Sequence, residues 1–113
     1  MKSPAYKHCF AMLGNPLRVD LINELMHKQH SVSELALILD AEQSRVSHAL
    51  EALRKCGFVE AKREGKKMIY TVPAGFAKKA KERGIFAALE MHYAGHAEQC
   101  WMACEKETKK AVE

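Results

Sequence analysis

No stretch of this 113-residue chain stays apolar for the roughly 18 residues a bilayer crossing needs, and Met1-Lys2-Ser3-Pro4 leads into nothing that reads as a signal peptide. A cytoplasmic location is therefore the expectation. In that compartment Cys9, Cys56, Cys100 and Cys104 are expected as reduced thiols, open to metal binding or redox chemistry, rather than as a disulfide framework. The marks of an enzyme are missing as well: there is no Gly-rich phosphate loop, no carboxylate pair flanking a pocket, and no nucleophile with a positioned base. His8 and Cys9 are adjacent, but neighbouring helical residues point about 100° apart, which rules out a dyad. Repeats, low-complexity tracts and interdomain linkers are also absent. Residues 1–113 are thus expected to form one domain, with a modest core for a single copy.

What the chain does have is concentrated between residues 31 and 72. Ser31 stands three residues before Glu34, the spacing of a capping box that opens a helix. Val32, Leu35, Ala36 and Leu39 then share one face of a 3.6-residue period. Asp40 and Ala41 carry a turn. Val46, Ala49, Leu50 and Leu53 repeat the spacing in a second helix, so Gln43, Ser44, Arg45, Ser47, His48 and Lys55 must lie on or beside its outward face. These are hydrogen-bonding side chains long enough to reach base edges and phosphates from a major groove. Gly57 suits a helix end, and Phe58 and Val59 lead into a strand. Glu64-Gly65-Lys66-Lys67 falls between two runs of period two, Val59 with Ala61 and Met68 with Tyr70 and Val72, and so reads as a cationic hairpin tip. Two short helices at a tight turn, then a basic hairpin, are the layout of a winged helix-turn-helix. The expected fold class is mainly α with a small β-hairpin.

Charge follows the same segment. Residues 1–42 hold four Lys/Arg and five Asp/Glu, residues 43–72 hold seven and three, and residues 73–113 hold seven and six. The formal excess of +4 thus equals that of the second helix and hairpin alone, which is the footprint of a polyanion-binding surface. The competing account has Lys62, Arg63, Lys66 and Lys67 only keeping an edge hairpin soluble.

Two helices are expected upstream. Ala5–Leu13 forms one, and Gly14-Asn15-Pro16 breaks it and opens the next, with Pro16 in the first turn and Leu17, Leu21, Ile22 and Leu25 along its inner side. His27 to His30 reads as a polar connection with solvated histidines. Downstream, Pro73 ends the hairpin and residues 74–110 read as a helix, with Gly84 as a point where it could divide.

Over residues 10–73 the chain resembles the ArsR/SmtB family of small dimeric repressors that respond to metals, metalloids or thiol oxidants. Leu13-Gly14-Asn15-Pro16-Leu17-Arg18 is similar to the family's Leu-Gly-Asp-Pro-Thr-Arg entry to its second helix, and Gln43-Ser44-Arg45-Val46-Ser47-His48 to the start of its reader helix. Leu53-Arg54-Lys55-Cys56-Gly57-Phe58-Val59 and Tyr70-Thr71-Val72 also fit. The resemblance implies a homodimer built through the first and last helices. It also implies operator DNA as a partner, faced by Gln43, Ser44, Arg45, Ser47 and His48, with Arg63, Lys66 and Lys67 reaching phosphates or the minor groove. Glu42 departs from the family's usual Ser cap, placing a carboxylate where phosphate would approach.

The effector is not inherited so simply. Ser31-Val32-Ser33-Glu34 occupies the stretch where the family carries a Cys-x-Cys pair. The family's other common site begins well with Glu90 and His92, then fails at Ala103 and Lys106. What the sequence has instead is His92, His96, Cys100 and Cys104 at four-residue steps on the last helix. Neighbours on such a ridge are about 6 Å apart and can share an ion, whereas its ends are roughly 18 Å apart along the axis and cannot. A site must therefore recruit Cys9 or His8 from the first helix, or the same ridge on a second subunit. Mixed imidazole and thiolate suits zinc; a thiol-rich set suits cadmium, copper(I) or arsenite. Three alternatives stand beside an ion. Cys100 and Cys104, one turn apart, could oxidise as a thiol-redox or reactive-sulfur sensor. The ridge could be a packing stripe with Ile85, Leu89 and Ala103, or the regulator could have no effector at all. Cys56 reads as buried packing, and Phe86, Tyr93 and Trp101 as packing between subunits.

Overall fold

The computed structural model describes residues 7–94, residues 7 and 8 by backbone only. Helix α1 (Lys7–Leu13) leads into α2 (Pro16–His27), β1 (His30–Ser31), α3 (Val32–Leu39), α4 (Gln43–Lys55), β2 (Glu60–Glu64), β3 (Lys67–Thr71), α5 (Ala74–Arg83) and a helix α6 over 85–94. None of the described helices is long and apolar enough to cross a membrane.

The α1–α2 corner is held by side chains. Asn15 Oδ1 accepts from the backbone N–H groups of Leu17 (3.0 Å) and Arg18 (3.3 Å), capping α2, whose Pro16 has no N–H to satisfy. The Arg18 guanidinium reaches back to donate to the carbonyl of Met12 at 3.1 Å and lies 2.8 Å from its sulfur. Met12 and Cys9 on α1, together with Leu21, Ile22 and Leu25 on α2, are thereby buried in one core.

Both bonds of the capping box form: Glu34 N–H donates to Ser31 Oγ at 3.3 Å, and Ser31 N–H to Glu34 Oε1 at 3.0 Å. Helix α3 ends on Asp40, which takes the left-handed conformation (φ 50°), while Ala41 N–H closes onto the Ala36 carbonyl at 3.0 Å. Helix α4 buries Val46, Ala49, Leu50, Ala52 and Leu53, and ends in a turn where Gly57 (φ 81°) lets Phe58 N–H reach the Leu53 carbonyl at 2.9 Å. Phe58 and Val59 then plunge into the core.

The hairpin pairs Glu60 with Thr71 through Glu64 with Lys67, and turns at Gly65 (φ 65°), a conformation that disfavours any side chain. The expected hairpin is present, and one more strand joins it. His30–Ser31 adds a third antiparallel strand, paired with Tyr70 and Ile69, giving the order β1-β3-β2. His30 is therefore not a solvated loop residue. It is buried, with Nδ1 3.6 Å from Glu34 Oε2, and its backbone is paired in the sheet beside Tyr70. A two-residue strand has no periodicity to betray it.

The helix expected over 74–110 divides at Gly84, the point the sequence offered, where φ is 90° and ψ 171°, a conformation no other residue type adopts readily. Phe76 on α5 and Ala88, Leu89 and His92 on α6 turn inward on either side of the break. The part of that expected helix beyond residue 94 lies outside the described residues, as do the residues before Lys7.

Candidate nucleic-acid interface

The burial of one stripe of α4 decides what the other must present. Gln43, Ser44, Arg45, Ser47, His48, Arg54 and Lys55 are all exposed. They are not equally available. Arg54 donates to Glu51 at 3.0 Å in a charge pair one turn apart, which raises the Arg54 pKa and lowers that of Glu51 chiefly through that hydrogen bond. Arg45 has no carboxylate within ion-pair distance among the described residues, and the same holds for Lys62, Arg63, Lys66 and Lys67 on the hairpin. A cation left unneutralised at this density favours a polyanion.

The start of α4 has a similar openness. Glu42 occupies the capping position in extended conformation (φ −64°, ψ 136°), yet its side chain accepts no first-turn N–H. Those donors, at the positive end of the helix dipole, are left for solvent or an incoming anion. Beside them the Gln43 amide nitrogen donates to Ser33 Oγ on α3 at 3.4 Å. The sequence marks Ser33 only as one of the residues standing where the family carries a Cys-x-Cys pair; the one signal for this contact is a serine in the first turn of the helix that α4 packs against. Helices α3 and α4 pack against each other, with Leu35 and Val46 both fully buried, and that packing leaves the polar side of α4 facing outward.

The thiol and imidazole residues fare differently. Cys9 is wholly buried in α1, and Cys56 is buried at the end of α4, its N–H donating to the Ala52 carbonyl at 3.3 Å. His92 lies flat on Phe58, with centroids 4.2 Å apart, and meets the edge of Phe76 at 6.0 Å. Glu90, two residues earlier, is exposed, so the acidic residue and the imidazole point apart. Among the described residues no three His, Cys, Asp or Glu side chains converge to hold a metal ion. His96, Cys100, Cys104 and Trp101, and the side chain of His8, lie outside them.

A second surface is formed by other helices. Phe10, Leu13, Val19, Ile22, Met26 and Ile85 line an apolar groove of about 410 Å³ between α1, α2 and α6. At its rim Phe10 and Phe86 stack at 5.4 Å with planes 5° apart, although both remain about half exposed.

Residues 15–61 match the model of the bacterial regulatory protein family arsR. An uncharacterized HTH-type transcriptional regulator of Mycobacterium tuberculosis, Rv0081, is 36% identical over 75 residues, 63% of this chain and 66% of that one, so the chain spans just under two thirds of that relative. The crystal structure of Rv0081 superposes with a TM-score of 0.62 at 30% identity, covering 82% of this chain and 99% of that chain. A biofilm growth-associated repressor of Agrobacterium fabrum is 35% identical over 80 residues, 69% of this chain and 68% of its own. A cadmium resistance transcriptional regulatory protein of Listeria innocua is 30% identical over 71 residues, 62% and 60% respectively. With the helix pair, the exposed polar face of α4 and the three-stranded sheet in place, the chain belongs to the arsR family of bacterial regulatory proteins and has the winged helix-turn-helix fold.

Proposed function

We propose that the chain is a transcriptional repressor that binds operator DNA as a homodimer, presenting α4 and the β2–β3 hairpin twice. The observation that carries this is the set of unneutralised cations, Arg45 on α4 and Lys62, Arg63, Lys66 and Lys67 on the wing, around a helix start whose N–H groups are open. Gln43, Ser44, Arg45, Ser47 and His48 would read base edges; Arg63, Lys66 and Lys67 would hold phosphates. The apolar groove and the Phe10–Phe86 stack support α1 and α6 as the dimer face, since a monomer would leave them in water. A binding titration against a randomised duplex pool over a range of salt tests the reading. Affinity should fall steeply as salt rises; no binding in dilute buffer would refute it.

The proposed signal is a metal or metalloid ion, with zinc, cadmium, copper(I) and arsenite as candidates. Two things support it: the four-residue spacing of His92, His96, Cys100 and Cys104, and a relative named for cadmium resistance. Cys9 and His92 stay in the candidate set, but both are buried and His92 stacks on Phe58, so the ligands would centre on His96, Cys100 and Cys104. An ion that prefers the DNA-incompetent dimer must weaken DNA binding by its own affinity ratio. Titrating each ion, and separately a disulfide oxidant, into the DNA complex discriminates the chemistries. Release by an ion alone supports this reading, and release by oxidant alone assigns Cys100 and Cys104 to redox sensing. Full response in Cys100→Ser/Cys104→Ser would remove the ridge from the sensor.

A further inference from the structure

We infer that Ser33 is a positioning residue for sequence readout: it holds the Gln43 side chain so that its amide is presented edge-on to a base, and thereby sets a preference for adenine at one position of each half-site. The inference rests on the DNA-binding reading above. A glutamine at the exposed first residue of a helix has several staggered rotamers and ordinarily samples them all. Here one amide N–H is spent on Ser33 Oγ at 3.4 Å, across ten residues of sequence, from a serine fixed in the first turn of α3. The capping box of Ser31 and Glu34 fixes that turn in its own right. What the tether leaves over is one N–H and Oε1, side by side, which is the donor–acceptor pair that meets N7 and the N6 amino group of adenine. A side chain ordered before binding loses less entropy on contact, so the tether acts on specificity through Gln43 without touching DNA itself. Ser33 and Gln43 are both exposed, so cutting the tether empties no core.

The test is selection of the full-length protein on a randomised duplex pool, read by sequencing. The wild-type motif should favour adenine at one position per half-site. Ser33→Ala should cut that preference about two- to ten-fold, the worth of one solvent-exposed hydrogen bond, with every other position unchanged. Ser33→Thr, which keeps the hydroxyl, should restore it, and Ser33→Ala should add nothing to Gln43→Ala. An unaltered motif in Ser33→Ala overturns the tether while leaving DNA binding intact. A uniform weakening at all positions also overturns it, because that marks a structural role. Failure of the wild type to enrich any motif overturns the DNA reading and the tether together.

Discussion

The imidazole of His92 lies 14° from parallel to the ring of Phe58 at 4.2 Å, with Phe76 edge-on to both rings. This three-ring cluster ties α6 to the end of α4 and the start of α5, so His92 acts as an aromatic packing residue. His92→Ala should lower unfolding free energy by about 2 to 4 kcal/mol, the range for emptying a buried large side chain. His92→Phe should recover most of it in urea denaturation. The response to an ion should survive in His92→Phe; its loss there would make the imidazole a ligand after all.

Acid sensitivity should trace to the start of α3. The Glu34 carboxyl is held below its ordinary value first by the backbone N–H of Ser31, then by the Ser31 hydroxyl, with His30 adding attraction. A carboxyl lowered in the folded state contributes stability above its unfolded value, near 4.5, and loses it as pH falls through the folded value. Glu51, lowered mainly by its hydrogen bond from Arg54, has the same sign. Urea midpoints should therefore decline below about pH 4.5, and Glu34→Gln should flatten that decline. A profile identical to wild type would dismiss the cap as its source. Ser31→Ala removes the other half of the box and should cost about 1 kcal/mol at neutral pH.

Arg45 and Lys66 should fail in different ways. Arg45→Ala should weaken binding to the selected sequence by about 1 to 3 kcal/mol while sparing random DNA, if its guanidinium reads a base. Lys66→Ala, at the wing tip, should weaken all sequences alike and lower the salt slope by about 1. Fluorescence anisotropy on selected and scrambled duplexes measures both. Equal effects on the two duplexes from both substitutions would erase the division between reading and holding.

Val19 is half exposed on the apolar groove, so a charge there is tolerable in a monomer and intolerable beneath a second subunit. Val19→Asp should give a folded monomer in sedimentation and, by removing one of two linked reader helices, lower DNA affinity steeply. An unchanged dimer would move the interface elsewhere.

Local chemistry was legible wherever a short stretch of chain decides its own conformation. Ser31 with Glu34 specified a helix start, Pro16 a first turn, Gly57 and Gly65 the places where the backbone must turn left-handed, and the 3.6-residue stripes through Leu35 and Leu50 the inner faces of α3 and α4. Once those stripes were fixed, the outward set from Gln43 to Lys55 followed by elimination, because a helix has no third side.

What the sequence could not decide were relations between distant residues. His30 looks like any loop histidine until β3 comes alongside and pairs with it, forty residues later in the chain. The polar residue Ser33 acquires its partner only when α4 crosses α3. The regular spacing of His92 gives no sign that Phe58 and Phe76 close over it, nor does the sequence around Cys9 show that it is buried in the core beside α2. Hydrogen bonding along a helix depends on neighbours that the chain supplies within four residues, so it is written locally; burial depends on which surfaces meet, and that is settled only when the whole chain has packed.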